Sequence, residues 1–292
     1  METKYYKAKN SFSPVSFIVI LVATFILGSV LSWPYLWLEE KIPFIYLNIL
    51  IPVGTGIILG FVIGKIARIL KMHSPIFGIL SIFIGYLGMT IIKWALYVYN
   101  LVFVDSGTSF FEGMKLILTS PAEFWETIGY INTLGTWGFS ESGNVTGALL
   151  WIVWIGEFIL LFVCFVAMFY NQIDIPFIDK DNNWAVKYGT KFEFTYFNVA
   201  DVSRTIENDP NTLFLYPRLQ RSGAKVNYVS AELYRSQDGG LNYLTLSTHI
   251  LDDKGNYSAT KVIKHLIVDW DFVNNLINNT YTGPEEQVSE SI

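Results

Sequence analysis

Four long apolar runs, over residues 16–38, 43–66, 75–98 and 147–170, occupy most of the first 170 positions. Each is long enough to cross a hydrocarbon layer about 30 Å thick, which takes about 20 helical residues. Lipid offers a peptide group no hydrogen-bond partner, so the runs are expected as helices. From residue 175 onward apolar and polar residues alternate instead, the pattern of half-buried strands. The expected architecture is an α-helical four-span transmembrane bundle, residues 16–170, with a C-terminal α+β domain, mainly antiparallel sheet, over 175–280. Residues 1–15 form an N-terminal approach and 105–146 a long loop; 281–292 are a polar, acidic tail expected to be disordered.

Charged residues are only 15% of the chain, against about 25% in ordinary globular proteins, so much of the surface is suited to lipid. A net charge of −5 and the lack of a basic stripe exclude nucleic acid as an expected partner. Cys164, the one cysteine, lies inside the fourth run, which rules out an intrachain disulfide or a cysteine-based zinc site. Lys4, Lys7 and Lys9 precede the first run as in a signal peptide. That run exceeds the usual 7–15 residues and lacks an A-x-A-like cleavage site, so it is read as a retained helix.

Basic residues in short loops set membrane orientation. The N-terminal stretch carries those three lysines and the second loop Lys65, Arg68 and Lys71. The first loop has only Lys41 beside Glu39 and Glu40, and the third only Lys115 among several acids. Both termini and the C-terminal domain are therefore expected in the cytoplasm. Trp33, Trp37, Trp94, Trp151 and Trp154 gather at the opposite helix ends, where indoles favour the headgroup layer.

Gly56, Gly60 and Gly64 stripe the second run; Gly78, Ser81, Gly85 and Gly88 stripe the third. Small residues let helix backbones approach closely in lipid. The two runs are joined by a short loop, so the stripes are expected to meet in a hairpin, with Gly60 against Ser81. Dimerisation through the second run and a close-walled ion path are the alternatives.

Glu157 falls near the middle of the fourth run and Lys93 in the outer half of the third. An intramembrane carboxylate is costly and suggests a functional site. Side chains lean toward the helix N-terminus, which brings these two toward one another in depth. A structural ion pair, a protonated Glu157 held by hydrogen bonds, and a proton or cation site are all compatible with the residues, and Lys93 alone has the reach to snorkel.

In the long loop, Ser120-Pro121-Ala122-Glu123 is a helix start, with Ser as cap and Pro in the first position. Phe124, Ile128 and Ile131 would share one face, laid on the outer lipid interface or forming a re-entrant lid. Asn144-Val145-Thr146 matches a glycosylation sequon beside the membrane.

In the C-terminal part, strands are predicted over 191–199, 212–219, 225–235, 241–251 and 257–268, with turns at Gln237-Asp238-Gly239-Gly240 and Asp253-Lys254-Gly255-Asn256. Asp269 would cap a last helix through Asn278 that buries Phe272, Val273, Leu276 and Ile277. His249 pairs near residue 259, about 20 Å from His265 by strand rise, too far to share a metal. No nucleophile elbow, phosphate-binding loop or zinc-binding helix pattern is present, and no cofactor is expected.

The segments Pro43-Phe44-Ile45-Tyr46-Leu47-Asn48, Gly135-Thr136-Trp137-Gly138, Trp151…Trp154…Glu157 and Ile175-Pro176-Phe177 resemble a group of uncharacterised bacterial four-span membrane proteins. The resemblance covers the membrane part and its exit. It implies a bacterial cytoplasmic (inner) membrane and supplies no activity. A Cys-x-x-Cys pair is expected in that group after the Pro-Phe. Ile178 and Asp181 stand there, so no metal or redox role carries over. The sequence reads first as an anchor or scaffold in the lipid bilayer, presenting an interaction or signalling domain to protein partners or to itself. A transport component using Glu157 and a membrane-embedded enzyme are the alternatives.

Overall fold

The computed structural model describes residues 4–8, 11–42, 49–104, 106–136, 138–139, 143–189, 192–219, 225–236, 238 and 240–278. The expected start of the second run (43–48), Trp137 and the 281–292 tail lie outside the described residues. The chain forms two compact units, Lys9–Asp174 and Met1–Ala8 together with Ile175–Ile292.

The first unit is helical. Four helices are long and apolar enough to cross a membrane: α1 (Pro14–Lys41), α2 (Leu50–Ile69), α3 (Pro75–Val102) and α6 (Gly147–Ile173). Between α3 and α6 lie α4 (Phe110–Thr119), α5 (Pro121–Leu134) and a small ladder of β1 (Gly138–Phe139) with β2 (Gly143–Asn144). Proline opens α1, α3 and α5, where its missing N–H has no helical partner to lose. Burial in α1 is inverted relative to a water-soluble helix. Ser16, Ile20, Thr24, Gly28 and Ser32, one every four residues, face inward, while Ile18, Val22, Ile26 and Val30 are exposed.

The glycine stripes do not meet one another. A Cβ on Gly56 would lie 2.6 Å from the Leu161 carbonyl oxygen, and one on Gly60 2.5 Å from that of Phe165; one on Gly64 would meet Gln172. The α2 stripe is therefore closed by α6. On α3, a Cβ on Gly85 would meet Leu21 and Thr24, and one on Gly88 the Phe25 ring, while Ser81 Oγ donates to the Phe17 carbonyl at 2.5 Å. Its partner is α1; only Gly78 differs, lying against the Phe169 ring of α6. This corrects the expected Gly60–Ser81 hairpin interface. Residue numbers rise together along both interfaces, so each stripe has taken a parallel helix rather than the antiparallel neighbour imposed by the loop. The α1 stripe of Ser16, Thr24, Gly28 and Ser32 supplies the complementary small surface.

The long loop is also held by protein. Phe124, Ile128 and Ile131 are buried with Ala95 and Val98 of α3 and Ile117 of α4, which corrects the placement of this face on lipid and agrees with the alternative of a segment packed on the bundle. Pro121 takes the first helical position as expected, but the Ser120 side chain makes no capping bond. Asn144 Nδ2 donates to the Leu134 carbonyl at 3.1 Å, giving the sequon asparagine a part in closing the loop.

The second unit is a twisted antiparallel sheet with helices on one face. β7 (Tyr228–Arg235), β8 (Asn242–Leu251) and β9 (Tyr257–Val268) form a meander, and β5 (Val186–Lys187) and β6 (Phe192–Thr195) both pair the far side of β7. A separate hairpin joins β3 (Phe177–Ile178) to β4 (Asn183–Trp184). The odd residues Val229, Ala231 and Leu233 of β7 point to a core closed by α7 (Val199–Asn208) and α8 (Trp270–Asn278). Two register shifts place extra residues in β9, near His265 with its left-handed φ of 55°. Phe272 N donates to Asp269 Oδ1 at 2.7 Å, and Phe272, Val273 and Leu276 are buried, with Ile277 partly so.

Residues 212–219 are not a strand. Asp209 and Pro210 start a 3-10 turn over Pro210–Leu215, with Asn211 N bonded to Asp209 Oδ1 at 3.0 Å; the end of the segment alone reaches β6, Thr195 N donating to the Pro217 carbonyl and Leu219 N to that of Glu193, both at 2.9 Å. β6 ends early because Asn198 caps α7 through Ala200 N. Residues 4–6, read above only as the charged approach to α1, join this unit: Tyr5 bridges Leu266 on the outer edge of β9.

Candidate functional site

Three of the long helices converge on Glu157. It lies on α6 with Trp154, Phe158 and Leu161 nearby. α3 contributes Tyr86, Met89, Thr90, Lys93 and Trp94, which repeat at helical spacing along one face and line the same cavity. α1 brings Tyr35. Lys93 Nζ is 2.5 Å from Glu157 Oε1, with the two side chains only 15% and 18% exposed. The Tyr35 hydroxyl donates to the same oxygen. Lys93 Nζ also lies 4.3 Å from the Tyr35 ring centroid, over its electron-rich face.

The aromatic wall follows from indoles two helices apart. Trp94 and Trp154 meet edge-on with centroids 4.7 Å apart, and Trp151 packs on Trp154. Tyr86 sits on Phe158 and gives its hydroxyl proton to the Phe158 carbonyl at 2.7 Å. Around these groups is a cavity of about 20 Å³. That is room for one water, given that a single site takes at least about 10–15 Å³.

The Lys93 ammonium is ion-paired with the Glu157 carboxylate, and Glu39 lies one helical turn beyond Tyr35 on α1. A buried pair repays its desolvation only with good geometry and further hydrogen bonds, and Tyr35 supplies one of these. The site can hold a charge pair rigidly.

Lys93 and Glu157 stand out in the sequence; Tyr35, Glu39, Tyr86 and Thr90 do not. The available signal was Tyr35-x-x-x-Glu39 at the end of the first run, a polar pair one helical turn apart. The glycines and Ser81 serve helix contacts away from this cluster, as described above.

In the sheet unit, His249 stacks on Tyr228 with centroids 4.2 Å apart and bonds Ser230 Oγ at 2.9 Å. His265 is buried beside Thr245. The paired register, His249 opposite Ala259, keeps the two histidines at separate places along β8 and β9. Asp252 Oδ1 accepts from Lys254 N and Asn256 N, a turn-forming role. Among the described residues no three His, Cys, Asp or Glu side chains converge in a way that could hold a metal.

Compared with protein-family models, curated proteins and solved structures, the chain matches none of them.

Proposed function

We propose that this chain is a four-span membrane anchor that presents a small sheet domain for protein interaction. The observation that carries this reading is the pairing of residues 4–6, which precede α1, with β9, which follows α6. A domain assembled from both flanks of four spans needs both flanks on one side of the lipid, as an even number of crossings provides. The lysine and arginine bias puts that side in the cytoplasm, in a bacterial inner membrane by the resemblance noted above. The first half of β9, Tyr257–Lys261, is exposed and offers a strand to a partner. In this reading the Glu157–Lys93–Tyr35 cluster ties α1, α3 and α6 together. A cavity the size of one water suits such a tie better than a passage.

The experiment is photo-crosslinking in intact membranes with a reactive residue at Tyr257 or Thr260. A discrete adduct, lost when a bulky charge is placed at Ala259, is the expected result. If neither position yields an adduct above that from the exposed α5 residue Tyr130, the reading fails.

One observation favours a second reading, a proton-linked transport component: the carboxylate of Glu157 stands within a long apolar helix beside a cavity with room for one water. It predicts that Glu157→Gln abolishes proton uptake by vesicles containing the purified protein. Unchanged vesicles would remove it.

A further inference from the structure

The outer edge of β9 carries a short strand from far away in the chain. Ile267 N donates to the Lys4 carbonyl at 2.8 Å, and Tyr6 N donates to the His265 carbonyl at 3.0 Å. Successive side chains of a strand point to opposite faces, and residues 5 and 6 obey this. Tyr5 packs against the helix-covered core and donates its hydroxyl to Glu207 at 2.5 Å. Tyr6 turns to the other face, edge-on to Tyr243 and His265 and against the Ile178–Ala185–Tyr234 cluster. Lys4 Nζ reaches Asn208 Oδ1 at 2.5 Å, at the C-terminal end of α7, where a cation is favoured by the helix dipole. Burial, and then Glu207, pushes the Tyr5 hydroxyl well above the usual phenol range, so it remains a donor.

This attachment is specific but slight. Its backbone makes two bonds, beside the side-chain bonds of Lys4 and Tyr5, whereas β8 and β9 pair along their whole length. Lys4, Lys7 and Ala8 are exposed and both tyrosines only partly buried. Segments with few buried contacts and exposed backbone bonds open at the low end of a protein's local stabilities. Residue 8 is also only a few positions from Pro14, where α1 begins, so the strap is short and covalently continuous with the first span.

We propose that the outer edge of β9 is a strand-acceptor site, closed in cis by residues 4–6, whose release admits an extended peptide presenting adjacent aromatic residues. Backbone pairing supplies the affinity and the two faces of the sheet the side-chain selectivity, as in other strand additions. The inference rests on the reading of this domain as an interaction module, and gives that module a specific ligand class and a closed state.

The test uses the full chain in detergent, with a protease site inserted after Ala8. The probe is a labelled synthetic peptide of residues 1–9. After cleavage the peptide is expected to bind saturably, and the uncut chain to bind it at least tenfold more weakly. A peptide with Tyr5→Ala and Tyr6→Ala should lose at least tenfold in affinity. Equal binding to cut and uncut chains, or no binding to the cut chain, overturns the proposal. A second measurement does not depend on cleavage. In a Cys164→Ser background, Lys4→Cys with Asn208→Cys should be joined by a short bis-maleimide in native membranes; absence of that product also overturns it. Peptide binding without any adduct at Tyr257 or Thr260 would leave this inference standing and remove the partner reading, and the converse would separate them the other way.

Discussion

At Gly60 the side chain is absent because a backbone occupies its place. A Cβ would sit 2.5 Å from the Phe165 carbonyl oxygen, which belongs to a helix and has little freedom to move. Gly60→Leu should cost about 1–3 kcal/mol through overpacking. Gly156, where a Cβ meets nothing within 4 Å, should accept alanine without loss. Thermal melts of both variants in detergent check the contrast. The charge cluster allows a sharper comparison. Lys93→Met alone strands a buried Glu157 and should cost about 3–5 kcal/mol. Lys93→Met with Glu157→Gln removes both charges and should melt closer to the parent. A double variant as unstable as the single one would show that the pair stabilises by more than compensation. Both charged residues are legible from sequence because an ionised group in an apolar run is conspicuous. Tyr35 is not, since a tyrosine near a helix end is ordinary; only its position opposite Glu157 gives it a role.

Elements are held by their ends as well as by their faces. Asp269 accepts the Phe272 N–H at the start of α8, and Asp269→Ala should destabilise the sheet unit by about 1 kcal/mol, with Asp269→Asn nearly neutral. Chemical melts followed by Trp270 fluorescence would read this. Asp238, in the β7–β8 turn, accepts from Ser236 Oγ, then Gly240 N, with Lys180 adding an ion pair; together they lower its carboxyl below the ordinary range. The sign follows. A depressed folded value stabilises the protein above the unfolded carboxyl range and loses that contribution as pH falls through the folded value. Asp238→Asn should therefore lower the melting temperature at pH 7, slightly because the group is exposed, and the difference should vanish in strong acid. β7, β8, β9 and α8 were legible because alternation and turn residues agree over long stretches. Residues 212–219 alternate as a strand does, yet Asp209-Pro210 imposes a turn first, so only 217–219 pair with β6. α7 is not legible because its apolar positions are few and its start signal, Asn198, lies within the stretch that reads as a strand over 191–199.

For the whole molecule, the two flanks of the helical unit share one sheet, so single cysteines replacing Lys7 and Lys254 should be labelled from the same side of sealed vesicles. A cysteine at Lys115 should be labelled from the other side. Labelling of residues 7 and 254 from opposite faces would contradict the crossing pattern.

Four membrane-length helices followed by an antiparallel sheet domain could be read directly from residue order, because apolar run length and alternation are properties of contiguous sequence. Which helix closes each glycine stripe could not. Sequence adjacency favours the antiparallel neighbour, but shape selects any helix that fits at matching depth, and here those are the parallel partners: α1 with its small stripe against α3, and α6 with its backbone and larger side chains seated on the α2 glycines. The capture of Tyr5 and Tyr6 by β9 belongs to the same class. It joins positions about 260 residues apart through backbone groups that every sequence carries, so only the folded arrangement decides it.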